Sequence, residues 1–233
     1  WDTSGESRVW VRAGAIEGNA SVITAAWGDS TKTTAPNYVF NGSTWSNGYQ
    51  AAWHFQNMSG TTLIDSTANN RHLTAEGGPS TATGQVGNGI VLDGSNDQLE
   101  AIGYKGVTGS IARTMELWVK TSATDDSFMS WGQDATRKKW IFRNDGSGYL
   151  RTEINGGSRN TSGAMNNNTW RYVACSYEPI TSGWSLKFYL DGNEVASTGT
   201  SSFANTGDYL DVRLGNDHSN RRLNGSMDEA RIS

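Results

Sequence analysis

Two-residue alternation of apolar and polar side chains is the feature that most limits what this chain can fold into. In IARTMELWVKT, residues 111–121, Ile111, Arg113, Met115, Leu117 and Val119 point one way. Ala112, Thr114, Glu116, Trp118 and Lys120 point the other, as in a strand with one face on a core. SLKFYLDGNEVA (185–196) alternates Leu186, Phe188 and Leu190, then places Asp191-Gly192 where a hairpin needs positive φ, and returns through Val195. Further strand-like runs are RVWVRA (8–13), VITAAW (22–27), AAWHF (51–55), GIVLDG (89–94), WRYVACSYE (170–178) and MDEARIS (227–233). Clusters of Gly, Asn, Asp and Ser separate them, and no segment of convincing length shows helical periodicity. The pattern predicts an all-β, antiparallel two-sheet sandwich or jelly roll.

Composition fits that reading. The chain has 28 Gly and only 3 Pro, and 10 Trp, 8 Tyr and 6 Phe supply enough area for a core although apolar residues make up only 35%. A net charge of −4 argues against non-specific nucleic-acid binding. No run approaches the roughly 18 apolar residues of a membrane span. The lone Cys175 reads as a small buried strand residue. A surface rich in Ser, Thr and Asn and poor in Lys suggests a secreted or cell-envelope protein. Residues 28–50 are loop-like and set a soft boundary near residue 50.

Several phrases occur in a telling order: AAWHFQN, LIDSTANNRHLTA, GQVGNGIVLDGSNDQLEA, TMELWVKT, NTWRYVACSY, LKFYLDGNEVA, VRLGN and LNGSMDEARIS. In this order they resemble the bacterial laminin-G-like domains of the concanavalin A-like superfamily. Those domains carry a "WH" strand, an "EAWVK" strand, a "YVDGV" hairpin and a closing "IDEVRI" strand. The resemblance covers residues 51–233. Residues 1–50 look like the C-terminal tail of a preceding β-rich envelope-protein module, packed on the sandwich. The resemblance implies a jelly roll, often with a bound calcium, and binding more often than catalysis.

Two polar clusters are candidates for a ligand site. The first lies in WGQDATRKKWIFRNDGSGYLRTEINGGSRN (131–160). A hairpin pairing Arg143 with Arg151 and Ile141 with Glu153 puts Trp140, Phe142, Thr152 and Ile154 on the core face. It puts Arg143, Arg151 and Glu153 on the other, because a one-residue slip would bury the charges. That face is either a salt-bridged outer surface or a polar floor whose guanidinium and carboxylate groups bind sugar hydroxyls. Trp131 and Asp134, in the approach to the hairpin, are candidates too: an exposed Trp131 would stack on a sugar ring, a buried one would belong to the core. The second cluster is Asn216, Asp217, His218 and Arg221 in LGNDHSNRRLNG (214–225), a loop before the last strand.

For calcium, Asp65 and Asn70 in IDSTANN, together with Asp228, which matches the family's acid in the closing strand, are the candidate ligands, with an Asx turn as the other reading of IDSTANN. LDGSND (Asp93, Asn96, Asp97) is a weaker alternative. A glycosidase on this fold would carry alternating acids along one strand. Glu116 and Glu153 are single strand acids, and Asp228 and Glu229 are adjacent, so they face opposite ways. The expectation is a non-catalytic carbohydrate-binding or adhesion module of a larger extracellular protein, with a glycan as partner. The alternatives are a structural subunit that associates with like chains and, behind it, a polysaccharide lyase or glycosidase.

Overall fold

A computed structural model describes residues 41–154, 158–160, 163–181, 183–200 and 204–233. It also describes residues 8–16, 18, 21–26, 28–31 and 34 of the leading segment; the side chains of residues 57, 158–160 and 197–200 are not described.

The described chain is built of strands: β1 (Ala51–Ser59), β2 (Thr62–Asp65), β3 (Leu73–Glu76), β4 (Ser80–Thr83), β5 (Asn88–Asp93), β6 (Gln98–Ala101), β7 (Arg113–Thr121) and β8 (Ser127–Gly132), then β9 (Lys139–Asn144), β10 (Leu150–Glu153), β11 (Ser158–Asn160), β12 (Arg171–Ile180), β13 (Gly183–Leu190), β14 (Asn193–Thr200), β15 (Leu210–Leu214) and β16 (Asn224–Ile232). All pairings are antiparallel, in the order β11-β10-β9-β8-β15-β6-β3-β2-β1-β16-β7-β12-β13-β14, with β5 added to β16 and β4 to β5. The sheet doubles over on itself. Trp140 of β9 meets Tyr177 of β12 edge-on at 5.2 Å, and Phe142 of β9 lies 6.4 Å from Phe188 of β13. The core between the two layers holds Trp53, Leu92, Leu99, Met115, Leu117, Val119, Val173 and Met227, all essentially inaccessible.

Local sequence accounts for the elements. Arg113, Met115, Leu117 and Val119 are buried while their neighbours are partly exposed, so the 113–121 alternation is a sheet with one covered face. Ile111, expected on the same stripe, lies before the strand and is exposed. Asp191 (φ 51°) and Gly192 (φ 82°) form the expected turn between β13 and β14, and Leu190 pairs with Asn193 across it. Cys175 is buried, its Sγ 3.2 Å from Thr152 Oγ1, and burial pushes its thiol up to about 12, too high for a nucleophile.

The leading segment differs from expectation. Residues 8–13 and the described part of 22–27 are not strands. Val9, Val11, Val22 and Ile23 are all more than half exposed. Alternation alone makes no strand without a neighbouring ladder to take the backbone hydrogen bonds. The segment does touch the sandwich: the Trp10 ring lies 4.2 Å from His54, and Arg12 donates to Ser46 Oγ at 2.6 Å and Asn47 Oδ1 at 3.2 Å.

Candidate functional site

The β9–β10 hairpin is closed by Asp145, whose side chain accepts the N–H groups of Ser147 and Tyr149. Gly148 (φ 77°) supplies the left-handed turn residue. The turn fixes the register: Asn144 opposite Leu150, Arg143 opposite Arg151, Phe142 opposite Thr152 and Ile141 opposite Glu153. This is the expected pairing, with the expected faces. Trp140, Phe142, Thr152 and Ile154 are buried in the core, and Arg143, Arg151 and Glu153 lie on the outer face.

The outer face carries a network of ion pairs laid across the strands. A cross-strand row runs over six strands: Glu153 opposite Ile141, Ile141 opposite Ser130, Ser130 opposite Arg213, Arg213 opposite Glu100, and Glu100 opposite Thr74. At one end of the row Glu153 gathers four cations. Arg143 Nε donates to its Oε1 at 2.8 Å, and Arg221 reaches both oxygens, at 2.9 and 3.3 Å. Arg151 Nε lies 3.4 Å and Lys139 Nζ 3.7 Å away. Arg143 also pairs with Asp125 at 2.6 Å, and Lys139 with Asp134 at 3.0 Å. In the middle of the row Arg213 pairs with Glu100 at 3.2 Å.

Arg221 joins the two polar clusters. Its loop, between β15 and β16, is pinned to the sheet by Gly215 N–H donating to Phe128 O and by Ser130 Oγ donating to Asn216 O. Asp217 Oδ2 orients Arg221 Nε at 2.7 Å, and its Oδ1 accepts the Ser219 N–H. His218 Nε2 lies 3.2 Å from Gly132 O. Burial alone would raise the Glu153 carboxyl, but hydrogen bonds and charge from Arg221 and Arg143 outweigh it and hold the group at about 2. Glu153 therefore acts as a fixed anion that orders guanidinium groups around itself.

The candidate residues divide by depth. Arg143 is almost wholly buried beneath the others. Arg151, Arg213 and Arg221 keep about a quarter of their side chains open to solvent (27, 23 and 21%), and Asp134 more than half. Asn216 and Asp217 are each 1% exposed, so they frame the loop and do not face a ligand: Asn216 Nδ2 donates to Gln98 Oε1 at 2.6 Å. Trp131 requires a correction. It is fully buried, stacks on Trp140 with centroids 6.2 Å apart, and donates its Nε1 proton to Val107 O. Its position opposite Trp140 on the core face rules out stacking on a sugar. Asp125, Lys139 and the Arg213–Glu100 pair were not anticipated. Asp125 and Lys139 carry no local pattern, and Arg213 meets Glu100 through strands more than a hundred residues apart in sequence.

The calcium donors do not fit. Asp65 Oδ1 accepts the N–H groups of Ala52 and Thr67, and Oδ2 accepts the Thr67 hydroxyl and the Arg71 N–H. Asp228 Oδ2 accepts the N–H groups of Gln85 and Val86, and Oδ1 that of Glu229. Asn70 is exposed and donates its side-chain amide to Ala68 O. The lone pairs a hard cation needs are spent on turns. Asp93 and Asp97 are likewise spent within their own turn. Among the described residues no group of three or more His, Cys, Asp or Glu is placed to hold a metal. Asp65 therefore closes an Asx turn.

The family model Laminin_G_3, of the concanavalin A-like lectin/glucanases superfamily, matches residues 93–233. The chain belongs to this superfamily. No curated protein matches it. Among solved structures, this concanavalin A-like chain is similar to domain 4 of AbnA, a GH43 extracellular arabinanase from Geobacillus stearothermophilus, in complex with arabinotriose. The identity is 21%, the TM-score 0.62, and the match covers 79% of this chain and 91% of that one. It is also similar to the binding domain of Paraclostridial Mosquitocidal Protein 1 (14% identity, TM-score 0.58, 79% of this chain, 48% of that one). The botulinum neurotoxin type G receptor-binding domain is a further likeness (11%, 0.56, 79% and 47%). The match thus spans about half of each toxin domain and nearly all of the arabinanase domain. These likenesses establish the fold, on which binding and catalytic sites both occur. No helix among the described residues is long and apolar enough to cross a membrane.

Proposed function

We propose that this chain is a non-catalytic carbohydrate-binding module of an extracellular protein, and that its ligand lies on the outer floor of β10, β9, β8, β15 and β6. The observation that carries this reading is the union of two distant polar segments into one array. Its partly open guanidinium groups, Arg151, Arg213 and Arg221, are held in place by carboxylates. Fixed, forked donors of this kind suit sugar hydroxyls and uronate carboxylates. The likeness to an arabinanase domain that binds arabinotriose supports the same class of ligand. Catalysis of glycoside cleavage needs a carboxyl raised enough to donate a proton. Glu153, held at about 2, is the opposite of such an acid.

The test is an oligosaccharide array that includes arabino-oligosaccharides and uronates, probed with the native protein and with Arg151→Ala and Arg213→Ala. Each substitution removes a charged donor at a position that carries no core packing. We expect binding by the native chain and a loss of about tenfold or more in affinity for each variant, with unchanged circular dichroism. A folded native protein that binds nothing on the array, or binding indifferent to both substitutions, would sink the reading. A second reading, association with like chains, draws on the exposed Val9, Val11, Ile16, Val22 and Ile23 of the leading segment. Light scattering over a concentration series tests it, and a monomer throughout removes it.

A further inference from the structure

The other sheet carries a second polar construction that the floor does not use. β16 pairs with β5 through residues 224–227 and passes to β1 through residues 230–232. At that handover Glu229 takes φ 51°, and on β1 Phe55 takes φ 54° where the β1–β2 register also breaks. Two non-glycine residues in left-handed backbone at one junction hold a strained arrangement, and such strain collects at functional sites. Here it brings two distant residues together: His54 Nδ1 lies 2.7 Å from Glu229 Oε1. Arg231 Nη2 donates to Glu229 Oε2 at 2.6 Å, and Arg231 Nη1 reaches Glu116 Oε1 at 3.2 Å. Glu229 is thereby held as an acceptor, which makes His54 Nδ1 the donor, and whenever the ring is neutral its lone pair lies on Nε2.

That Nε2 has no hydrogen-bond partner among the described residues, although His54 is more than nine-tenths buried. A buried, oriented and unsatisfied imidazole nitrogen is unfavourable unless something occupies it. His54 also lines a pocket of about 160 Å³ together with Phe55, Gln56, Ile64 and Ser66. Two walls are apolar and two carry hydrogen-bonding groups. The Trp10 and Trp45 rings lie 4.2 and 5.0 Å from the imidazole and shield it. Small volume, mixed walls, nearby indoles and a single acceptor match one hydroxylated ring.

We propose that the pocket at His54 is a second ligand site, on the sheet opposite the polar floor, that takes a single sugar residue with His54 Nε2 accepting a hydroxyl proton. Glu229 and Arg231 are positioning residues that fix the imidazole tautomer. Trp10 covers the imidazole from the leading segment, which Arg12 ties to Ser46 and Asn47, and the bound sugar would displace its ring.

The chain has 3 His, so one ¹⁵N spectrum of histidine-labelled protein reads both sites. His54 reports the pocket and His218 the floor. His72, whose Nδ1 accepts the Asp65 N–H, serves as the internal control. Free arabinose, galactose, glucose and glucuronate are titrated in turn. A saturable shift of the His54 Nε2 signal with at least one sugar, whether or not His218 moves, is the expected result. Ile64→Trp, at an exposed strand position on the pocket rim, is expected to abolish the His54 shift and to leave any His218 shift intact. A His54 signal that stays still with all four sugars overturns the proposal, as does a shift that survives Ile64→Trp. Movement of His218 alone would leave the floor reading standing and remove this one.

Discussion

Buried carboxylates in this molecule have opposite fates, decided by what surrounds each one. Glu153, half-buried, is held ionised by two arginines, whereas Asp126 has no cation among its contacts with the described residues. It accepts the Thr121 hydroxyl at 2.5 Å and the Asn224 N–H at 3.2 Å, and burial raises it from 3.8 to about 6. A raised carboxyl binds its proton more tightly in the folded state. Its contribution to stability is therefore complete below 3.8 and is lost as the pH rises through about 6. Asp126→Asn keeps a neutral acceptor there. We expect urea midpoints of the variant to change less than those of the native protein between pH 4 and 6, the range set by those two values. Equal slopes for the two proteins would contradict the assignment. At this scale the sequence was a partial guide. The register of Arg143 with Arg151 followed from hydrophobic alternation, because only one register keeps charges out of the core. The burial of Trp131 could not be read locally, since its face depends on the bulge between Ser127 and Met129 where β8 meets β9.

Turns set the registers of the elements, and the DG hairpin is the cleanest case. Asp191 accepts the Tyr172 N–H at 3.0 Å and pairs with Arg171 at 2.8 Å, so the turn also ties β13 back to β12. Gly192 sits at φ 82° with open space where a Cβ would stand, so any cost of Gly192→Ala comes from backbone conformation alone. We expect about 1–2 kcal/mol, read as a fall of a few degrees in melting temperature. A variant that melts with the native protein would show that the turn relaxes to another type. This hairpin was legible because its chemistry is contained in two adjacent residues. The failure at residues 8–13 and 22–26 has the complementary cause: their alternation resembles that of β7, but among the described residues no neighbouring ladder completes them.

The whole molecule is a doubled-over sheet with a polar construction on each outer surface. Asp65 and Asp228 hold it together as turn clamps, saturated by backbone and hydroxyl donors, which gives a prediction for the intact protein. Chelator should leave its melting temperature unchanged, and added calcium should not raise it; a calcium-dependent rise of several degrees would show that these carboxylates exchange their N–H partners for an ion. Period-two alternation and turn chemistry determined the all-β class, the hairpins and the order of family phrases, since each depends on neighbours in sequence. Tertiary structure alone decided that Arg221 meets Glu153, that Arg213 meets Glu100, and that His54 meets Glu229. Those contacts join residues from 68 to 175 positions apart. They are set by which strands become neighbours in the sheet, and local patterning does not encode that choice.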